Sequence, residues 1–137
     1  MHSKRKGNIG QFAVGLELTK LGYSVFTEEG DISKIDVIAE KNGKLIRIQV
    51  KSITPVKNTL ICKMVKAGPN YRFTYDKSMF DYFAIHDMSD GKVYLIDSTI
   101  LDKNGNSLTL RKTSTQNNQK NKVNMAEDYE ISKVLGG

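Results

Sequence analysis

Residues 35–51 read IDVIAEKNGKLIRIQVK, and this stretch decides the fold. Apolar and polar residues alternate with a period of two on both sides of Asn42-Gly43, as they do in half-buried β-strands. Asn-Gly between two such runs is a strong signal for a tight hairpin turn. We therefore predict a β-hairpin with strands over 34–40 and 44–52.

The alternation also assigns faces to the second strand. Ile48 and Val50 share the face that we expect to pack on the core. Gln49 and Lys51 share the opposite face. Asp36 lies on the neighbouring strand of the hairpin, so a carboxylate, an amide oxygen and an ammonium group are predicted to lie side by side.

This trio of polar groups suits metal-assisted chemistry. A hard divalent cation takes oxygen ligands, and magnesium retains several waters while binding only one or two carboxylates. A lysine beside the metal can activate a water or stabilise charge that develops on a phosphate. On periodicity alone, a row of polar residues on one strand face is usually just a solvated surface.

The spacing of these residues adds specific information. Asp36, twelve intervening residues and then Gln49-Val50-Lys51 resembles the motif of the PD-(D/E)XK nuclease superfamily, with Gln in the (D/E) position and Ile35 in place of Pro. The segment from Lys6-Gly7 to Gln11, followed by an apolar helix and Leu21-Gly22-Tyr23, is similar to the opening of archaeal Holliday-junction resolvases and of bacterial intron-encoded homing endonucleases. The runs 80–85 and 93–96 resemble the closing hairpin of the homing enzymes.

The resemblance implies an α/β fold with a restriction-endonuclease-like core, in which a mixed β-sheet is flanked by helices. We expect this nuclease core over residues 1–112. Residues 113–137 would form a polar and basic C-terminal extension, either part of the same domain or a DNA-contacting arm.

The resemblance also implies roles for the site residues. Asp36, Gln49 and the Val50 carbonyl would hold Mg²⁺ or Mn²⁺, and Lys51 would activate water or stabilise the transition state. The family carries an active-site Glu at the position of Gln11, so we count Gln11 in the catalytic and metal sites. We hypothesise that it replaces a catalytic Glu, as an engineered change that traps an uncleaved complex; the alternative is a native, partly buried structural Gln.

Charge is segregated along the chain. The net charge is +6, yet residues 41–77 contain nine basic residues against one acid, Asp76, which gives +8. Such a basic segment favours a polyanionic partner, and we expect double-stranded DNA. The candidate DNA-binding residues are Lys4, Arg5, Lys6, Lys57, Lys63, Lys66, Arg72, Lys77, Arg111, Lys112, Gln116, Lys120 and Lys122. Solvated lysines on exposed strands are the plainer explanation of the same pattern.

The remaining elements are predicted from local signals. A helix over 8–21, capped by Asn8, is apolar on two faces and is expected to lie between the sheet and a further partner such as a second subunit. A second hairpin is predicted over 82–97, with a weaker strand over 58–65. We interpret 67–70 as a loop and 113–124 as a polar loop or arm.

Composition excludes several classes of protein. No apolar run is long enough to span a membrane, and a single cysteine, Cys62, leaves no partner for an intrachain disulfide. We therefore expect a cytoplasmic protein, and the resemblance to bacterial intron-encoded endonucleases implies a bacterial one that acts at the nucleoid.

We expect a sequence-specific homing-type endonuclease that acts as a dimer or tetramer, because one small site cuts one strand. A Holliday-junction resolvase, a restriction-type endonuclease and a non-catalytic DNA-binding module are the alternatives.

Overall fold

The computed structural model of the chain describes residues 2–30, 32–69, 71–102, 107–113 and 124–136, with the backbone alone for 65–68, 71–74 and 102. Within these residues the chain forms two α-helices and ten strands. The helices are α1 (Ser3–Lys20) and α2 (Ile131–Leu135). The strands are β1 (Ser24–Thr27), β2 (Val37–Lys41), β3 (Lys44–Ile53), β4 (Thr59–Lys63), β5 (Val65–Gly68), β6 (Tyr71–Thr74), β7 (Tyr82–Asp87), β8 (Val93–Asp97), β9 (Ser107–Arg111) and β10 (Asn124–Met125).

The main sheet contains five strands in the order β1-β2-β3-β7-β8. Both predicted hairpins are confirmed: β2 pairs antiparallel with β3 and β7 pairs antiparallel with β8. The hairpins meet through a parallel pairing of β3 with β7, so the sheet is mixed. The turn at Asn42-Gly43 has positive φ at both residues, which is the conformation that favours Asn-Gly. The predicted α/β, restriction-endonuclease-like architecture is therefore confirmed.

Helix α1 packs on one face of the main sheet. Val14 and Leu18 of α1 are fully buried together with Val37 and Ile48 of the sheet. Complete burial of such side chains contributes about 2 kcal/mol each before entropy is counted. Gly10 lies where α1 comes close to β3, since a Cβ atom there would come within 2.1 Å of Ser52 Oγ.

The opposite face of the main sheet is covered by a second apolar cluster. Phe80 and Phe83 are fully buried in it, next to residues of a smaller sheet with the strand order β10-β9-β4. Strand β4 supplies Leu60 and Cys62 to this cluster from its inward face. The main sheet thus lies between α1 and the smaller sheet.

Three local predictions need correction. Helix α1 begins at Ser3 rather than at residue 8, and its N-cap is His2, whose Nδ1 accepts a hydrogen bond from the Lys4 N–H. Residues 67–68 are not loop, because they end β5, which pairs with β6. The strand predicted over 58–65 divides into β4 and the start of β5, since Met64 lies between them.

The two apolar faces of α1 have different surroundings. The face with Val14 and Leu18 is buried, whereas Phe12 is 76% exposed and Leu16 is 57% exposed. Within the described part of the chain the helix is therefore covered on one side only.

The C-terminal segment 124–136 packs on the main body of the protein. Ala126 is buried in the cluster with Phe80, and Ile131 is buried in the cluster with α1. The predicted polar arm over 113–124 lies mostly outside the described residues. No described helix is both long enough and apolar enough to cross a membrane.

Candidate active site at the end of the first hairpin

Asp36 is bound to the two residues that flank Gln49. Its N–H donates to the Ile48 carbonyl at 2.9 Å, and its Oδ2 accepts from the Val50 N–H at 2.8 Å. Residue 36 directly precedes β2 and lies outside the strand. Its carboxylate extends the pairing with β3 by accepting the hydrogen bond from Val50. The Asp36 carboxylate is therefore held against the edge of β3 beside Gln49.

Gln49 has a buried oxygen that lacks a partner. The residue is 8% exposed, and its Oε1 is buried with no hydrogen-bond partner among the residues that the structure describes. A buried amide oxygen of this kind carries a desolvation cost of about 1–3 kcal/mol when it is left unsatisfied. Orphaned polar atoms are rare in folded proteins and indicate strain, a bound water, an ion or a catalytic role.

A cleft of about 520 Å³ opens between the start of α1 and the end of this hairpin. The residues that line it are Ser3, Lys4, Gly7, Asn8, Gln11, Asp36, Gln49 and Val50. Four of the five predicted catalytic and metal-ligand residues, all except Lys51, therefore share one cleft. The Val50 carbonyl points to the same side of β3 as the Val50 N–H, because both groups of a strand residue face one neighbour.

Lys51 is not among the described residues that line this cleft. Its Nζ donates a hydrogen bond to Tyr75 Oη at 2.6 Å and lies 4.4 Å from the centroid of the Tyr75 ring. Burial lowers the pKa of Lys51, and the Cys62 and Asp36 groups oppose that change. The ammonium group is thus half-buried and within electrostatic reach of the Asp36 carboxylate.

The donor set at the cleft fits a hard divalent cation. Asp36 supplies a carboxylate, Gln49 supplies the orphaned amide oxygen and Val50 supplies a backbone carbonyl, which together are the ligand types that Mg²⁺ takes alongside water. No group of three or more His, Cys, Asp or Glu side chains that could hold a metal occurs among the described residues. The set therefore suits a cation that retains several waters.

A second carboxylate near the cleft was missed by sequence reasoning. Glu28 lines an adjoining pocket of about 240 Å³ together with Asp36 and Gln11. Its Oε1 accepts hydrogen bonds from the N–H groups of Ile32 and Ser33, which hold the pKa of Glu28 below its ordinary value. Glu28 follows β1 in a loop without a periodic pattern, so no sequence signal connects it with Asp36.

The predicted DNA-binding residues lie in three places. Lys4 lines the cleft, Arg5 is exposed beside it, and Lys6 is half-buried with its carbonyl accepting from Ser52 Oγ. A second group, Lys57, Lys63 and Lys77, lies outside α1, and all three residues are exposed.

The third place is the C-terminal end of β9. Arg111 and Lys112 are half-buried, and Lys112 pairs with Asp87 at 2.7 Å and Asp90 at 3.4 Å. The remaining predicted contacts fall outside the described residues or side chains: Lys66, Arg72, Gln116, Lys120 and Lys122.

Comparison with known proteins gives a family and a fold. A family model described as PD-(D/E)XK endonuclease matches residues 1–132. Protein 5.3 of Escherichia phage T7 is 35% identical over 80 residues, which cover 58% of this chain and 68% of that protein.

Two solved structures share the fold. The bacterial homing endonuclease I-Ssp6803I has a TM-score of 0.79 and 21% identity, over 98% of this chain and 93% of that one. The Holliday junction resolvase Hjc of Archaeoglobus fulgidus has a TM-score of 0.51 and 14% identity, over 96% of each chain.

Proposed function

The chain belongs to the PD-(D/E)XK endonuclease family, and we propose that it is a metal-dependent endodeoxyribonuclease that cuts double-stranded DNA at a specific sequence, in the manner of an intron homing enzyme. The observation that carries this proposal is the buried Oε1 of Gln49, which has no partner among the described residues, in a residue that lines one cleft together with Asp36. An unsatisfied buried oxygen at that point is explained when a cation completes the site.

We propose Mg²⁺ or Mn²⁺ as the cation, with Asp36, Gln49 and the Val50 carbonyl as its protein ligands. When bound, such a cation lowers the pKa of a coordinated water and stabilises negative charge on a phosphate. The hydrogen bond from Val50 to Asp36 holds the carboxylate in one orientation before the cation arrives. Lys51 then supplies a positive charge to the scissile phosphate or to the attacking water.

In our proposal, the amide at position 11 weakens cation binding at this site. Gln11 lines the cleft with Asp36 and Gln49, at a position where the resemblance to the family implies a Glu. With amides at positions 11 and 49, the cleft-lining residues include one carboxylate, Asp36, and cation binding is correspondingly weak. We therefore propose that Gln11 replaces a catalytic Glu and that the chain as it stands is inactivated or slow.

Basic residues near the cleft support a DNA substrate. Lys4 lines the cleft, so its ammonium group can contact a phosphate next to the scissile one. Lys57, Lys63 and Lys77 are exposed, and we propose that they contact other phosphates of the same DNA. Because one site hydrolyses one strand, we propose that a dimer or tetramer of the chain cuts both strands.

The test is cleavage of three DNA substrates in Mg²⁺: linear duplexes with a randomised central segment, supercoiled plasmid and a synthetic four-way junction. Sequencing of the cleaved ends should reveal one long site for a homing-type enzyme. Many short sites would instead indicate a restriction-type enzyme. In the Gln11→Glu background, Asp36→Asn should abolish cleavage, whereas Glu40→Gln, on the same hairpin but outside the cleft, should not.

Two further candidate functions remain for this assay to decide. The shared fold with the resolvase Hjc favours branched DNA as the second candidate substrate, and preferential cleavage of the four-way junction would support it. The pair of amides at positions 11 and 49 favours a non-catalytic DNA-binding module. Salt-sensitive binding without cleavage, by the chain and by Gln11→Glu alike, would support that module and contradict the nuclease proposal.

A further inference from the structure

The Lys51 side chain is held by one aromatic residue from a distant part of the chain. Tyr75 lies 24 positions further along the sequence, and its Oη accepts the hydrogen bond from Lys51 Nζ at 2.6 Å. The same ammonium group lies 4.4 Å from the centroid of the Tyr75 ring. Two contacts to one side chain therefore restrict where the end of Lys51 can lie.

Tyr75 is itself rigidly packed. It is 2% exposed, and its ring makes edge-on contacts with Phe80 and Phe83 at centroid distances of 5.9 and 5.7 Å. Phe80 and Phe83 contact each other edge-on at 4.6 Å. The backbone N–H of Tyr75 also donates to the Met64 carbonyl at 3.3 Å. The phenol oxygen is therefore presented from a fixed aromatic cluster.

This arrangement matters because a lysine side chain is flexible. Four rotatable bonds lie between the Lys51 backbone and its charge, and each adopts several rotamers in an unconstrained side chain. A catalytic group must be held close to its productive position, and a displacement of about 1 Å can cost roughly 100-fold in rate. A buried phenol that binds the ammonium group supplies that constraint without contacting the DNA.

We propose that Tyr75 is the positioning residue for Lys51, acting through the Oη hydrogen bond to hold the ammonium group on the side of β3 that carries Gln49. This inference rests on the proposed nuclease function for its catalytic consequence. The contact itself is independent of that function. Tyr75 acts through Lys51 and needs no contact with DNA or cation.

The test compares Tyr75→Phe with a matched control, Tyr94→Phe. Phe at position 75 retains the ring cluster and removes only the hydroxyl. Tyr94 is 3% exposed in the same apolar cluster, so Tyr94→Phe also removes a buried hydroxyl. In the Gln11→Glu background, we expect Tyr75→Phe to lower the cleavage rate at saturating DNA by roughly 10- to 100-fold. DNA affinity should stay unchanged, and Tyr94→Phe should have little effect.

A double-mutant cycle separates positioning from a general structural role. In a Lys51→Ala background, Tyr75→Phe should produce no further loss of rate, because the group that it positions is gone. An equal loss in both backgrounds would overturn the inference. An unchanged rate in Tyr75→Phe would overturn it as well.

Chemical labelling of lysines tests the contact without any cleavage. The free protein is treated with acetic anhydride, and the labelled lysines are identified by mass spectrometry. Lys51 should be labelled several-fold faster in Tyr75→Phe than in Tyr94→Phe or the parent chain. Equal labelling would overturn the inference about Tyr75 alone. Absence of cleavage by every variant, including Gln11→Glu, would instead overturn the proposed function and the catalytic consequence of this contact.

Discussion

The Asp36 carboxylate is hydrogen-bonded to the backbone N–H of Val50 at 2.8 Å. A second bond, from the Asp36 N–H to the Ile48 carbonyl at 2.9 Å, lies on the other side of Gln49. The two bonds hold Asp36 against the residues on either side of Gln49, whose buried Oε1 has no hydrogen-bond partner within the described part of the chain. The central element of the candidate site is thus built by backbone pairing at the end of a hairpin.

Asp36→Asn should weaken cation binding while preserving the fold. The Asn carbonyl oxygen can still accept the hydrogen bond from Val50, whereas the negative charge is lost. We expect the affinity for Mn²⁺, measured by isothermal titration calorimetry on the free protein, to fall at least roughly 10-fold. Glu40→Gln is the control and should bind as the parent does. Equal affinities in Asp36→Asn and Glu40→Gln would contradict the assignment of Asp36 as a ligand.

Gln49→Glu should couple folding stability to cation binding. A carboxylate at this buried position lacks a partner in the free protein, so we expect it to reduce the free energy of unfolding by about 1–3 kcal/mol. Because a cation that binds the folded state stabilises it, added Mn²⁺ should raise the Tm of Gln49→Glu more than that of the parent. Equal shifts in Tm for the two proteins would show that position 49 does not touch the cation.

Lys112→Met should destabilise the protein in a pH-dependent way. Burial would raise the pKa of Asp87, but hydrogen bonds from Lys112 and Ser89 outweigh it and hold the pKa below its ordinary value. A depressed pKa contributes stability above the unfolded-state pKa, and this contribution is lost as pH falls through the folded-state pKa. We expect Lys112→Met to cost about 3 kcal/mol of unfolding free energy at pH 7, with the difference shrinking below about pH 4.

The control for Lys112 is a surface ion pair. Lys92 lies 3.7 Å from Glu130 with a side chain that is 59% exposed, so Lys92→Met should change stability by less than about 1 kcal/mol. Denaturant unfolding at pH 7 and pH 3.5 measures both variants. A cost for Lys112→Met that does not shrink at low pH would contradict the role assigned to its pair with Asp87.

Gly10→Ala should disturb the packing of α1 on β3. A Cβ atom at Gly10 would come within 2.1 Å of Ser52 Oγ, which also donates to the Lys6 carbonyl. We expect a loss of about 2 kcal/mol in thermal or denaturant unfolding. Gly7→Ala is the control, since nothing lies within 4 Å of its Cβ position, and it should stabilise the helix by about 0.5–1 kcal/mol. Destabilisation by both changes to the same extent would contradict this account of the helix contact.

Much of the fold could be predicted because its signals are local. Period-two alternation around Asn42-Gly43 predicts the first hairpin, and the same reasoning predicts the hairpin over 82–97. Helix α1 was predicted to start too late because its first turns are basic and lack an apolar period, while the cap is supplied by His2. The basic and polar composition of residues 3–7 therefore gives no periodic signal for the first five residues of the helix.

The remaining features depend on contacts that are distant in sequence. The hydrogen bond between Lys51 and Tyr75 joins residues 24 positions apart, and the pocket shared by Glu28 and Asp36 depends on a loop without a pattern. The parallel pairing of β3 with β7 crosses about thirty residues, which include β4, β5 and β6. Alternation within one strand assigns its faces, but it does not identify the partner that covers each face.

The most direct test of the central claim is Mg²⁺-dependent DNA cleavage by the parent chain, Gln11→Glu and the double variant Gln11→Glu with Asp36→Asn. The substrate is the pool of randomised linear duplexes, and cleaved ends are counted by sequencing. We predict that Gln11→Glu cleaves at least roughly 10-fold faster than the parent chain and that the added Asp36→Asn abolishes cleavage. Equal cleavage by the parent chain and Gln11→Glu, or cleavage that survives Asp36→Asn, would contradict a metal site built on Asp36 and limited by Gln11.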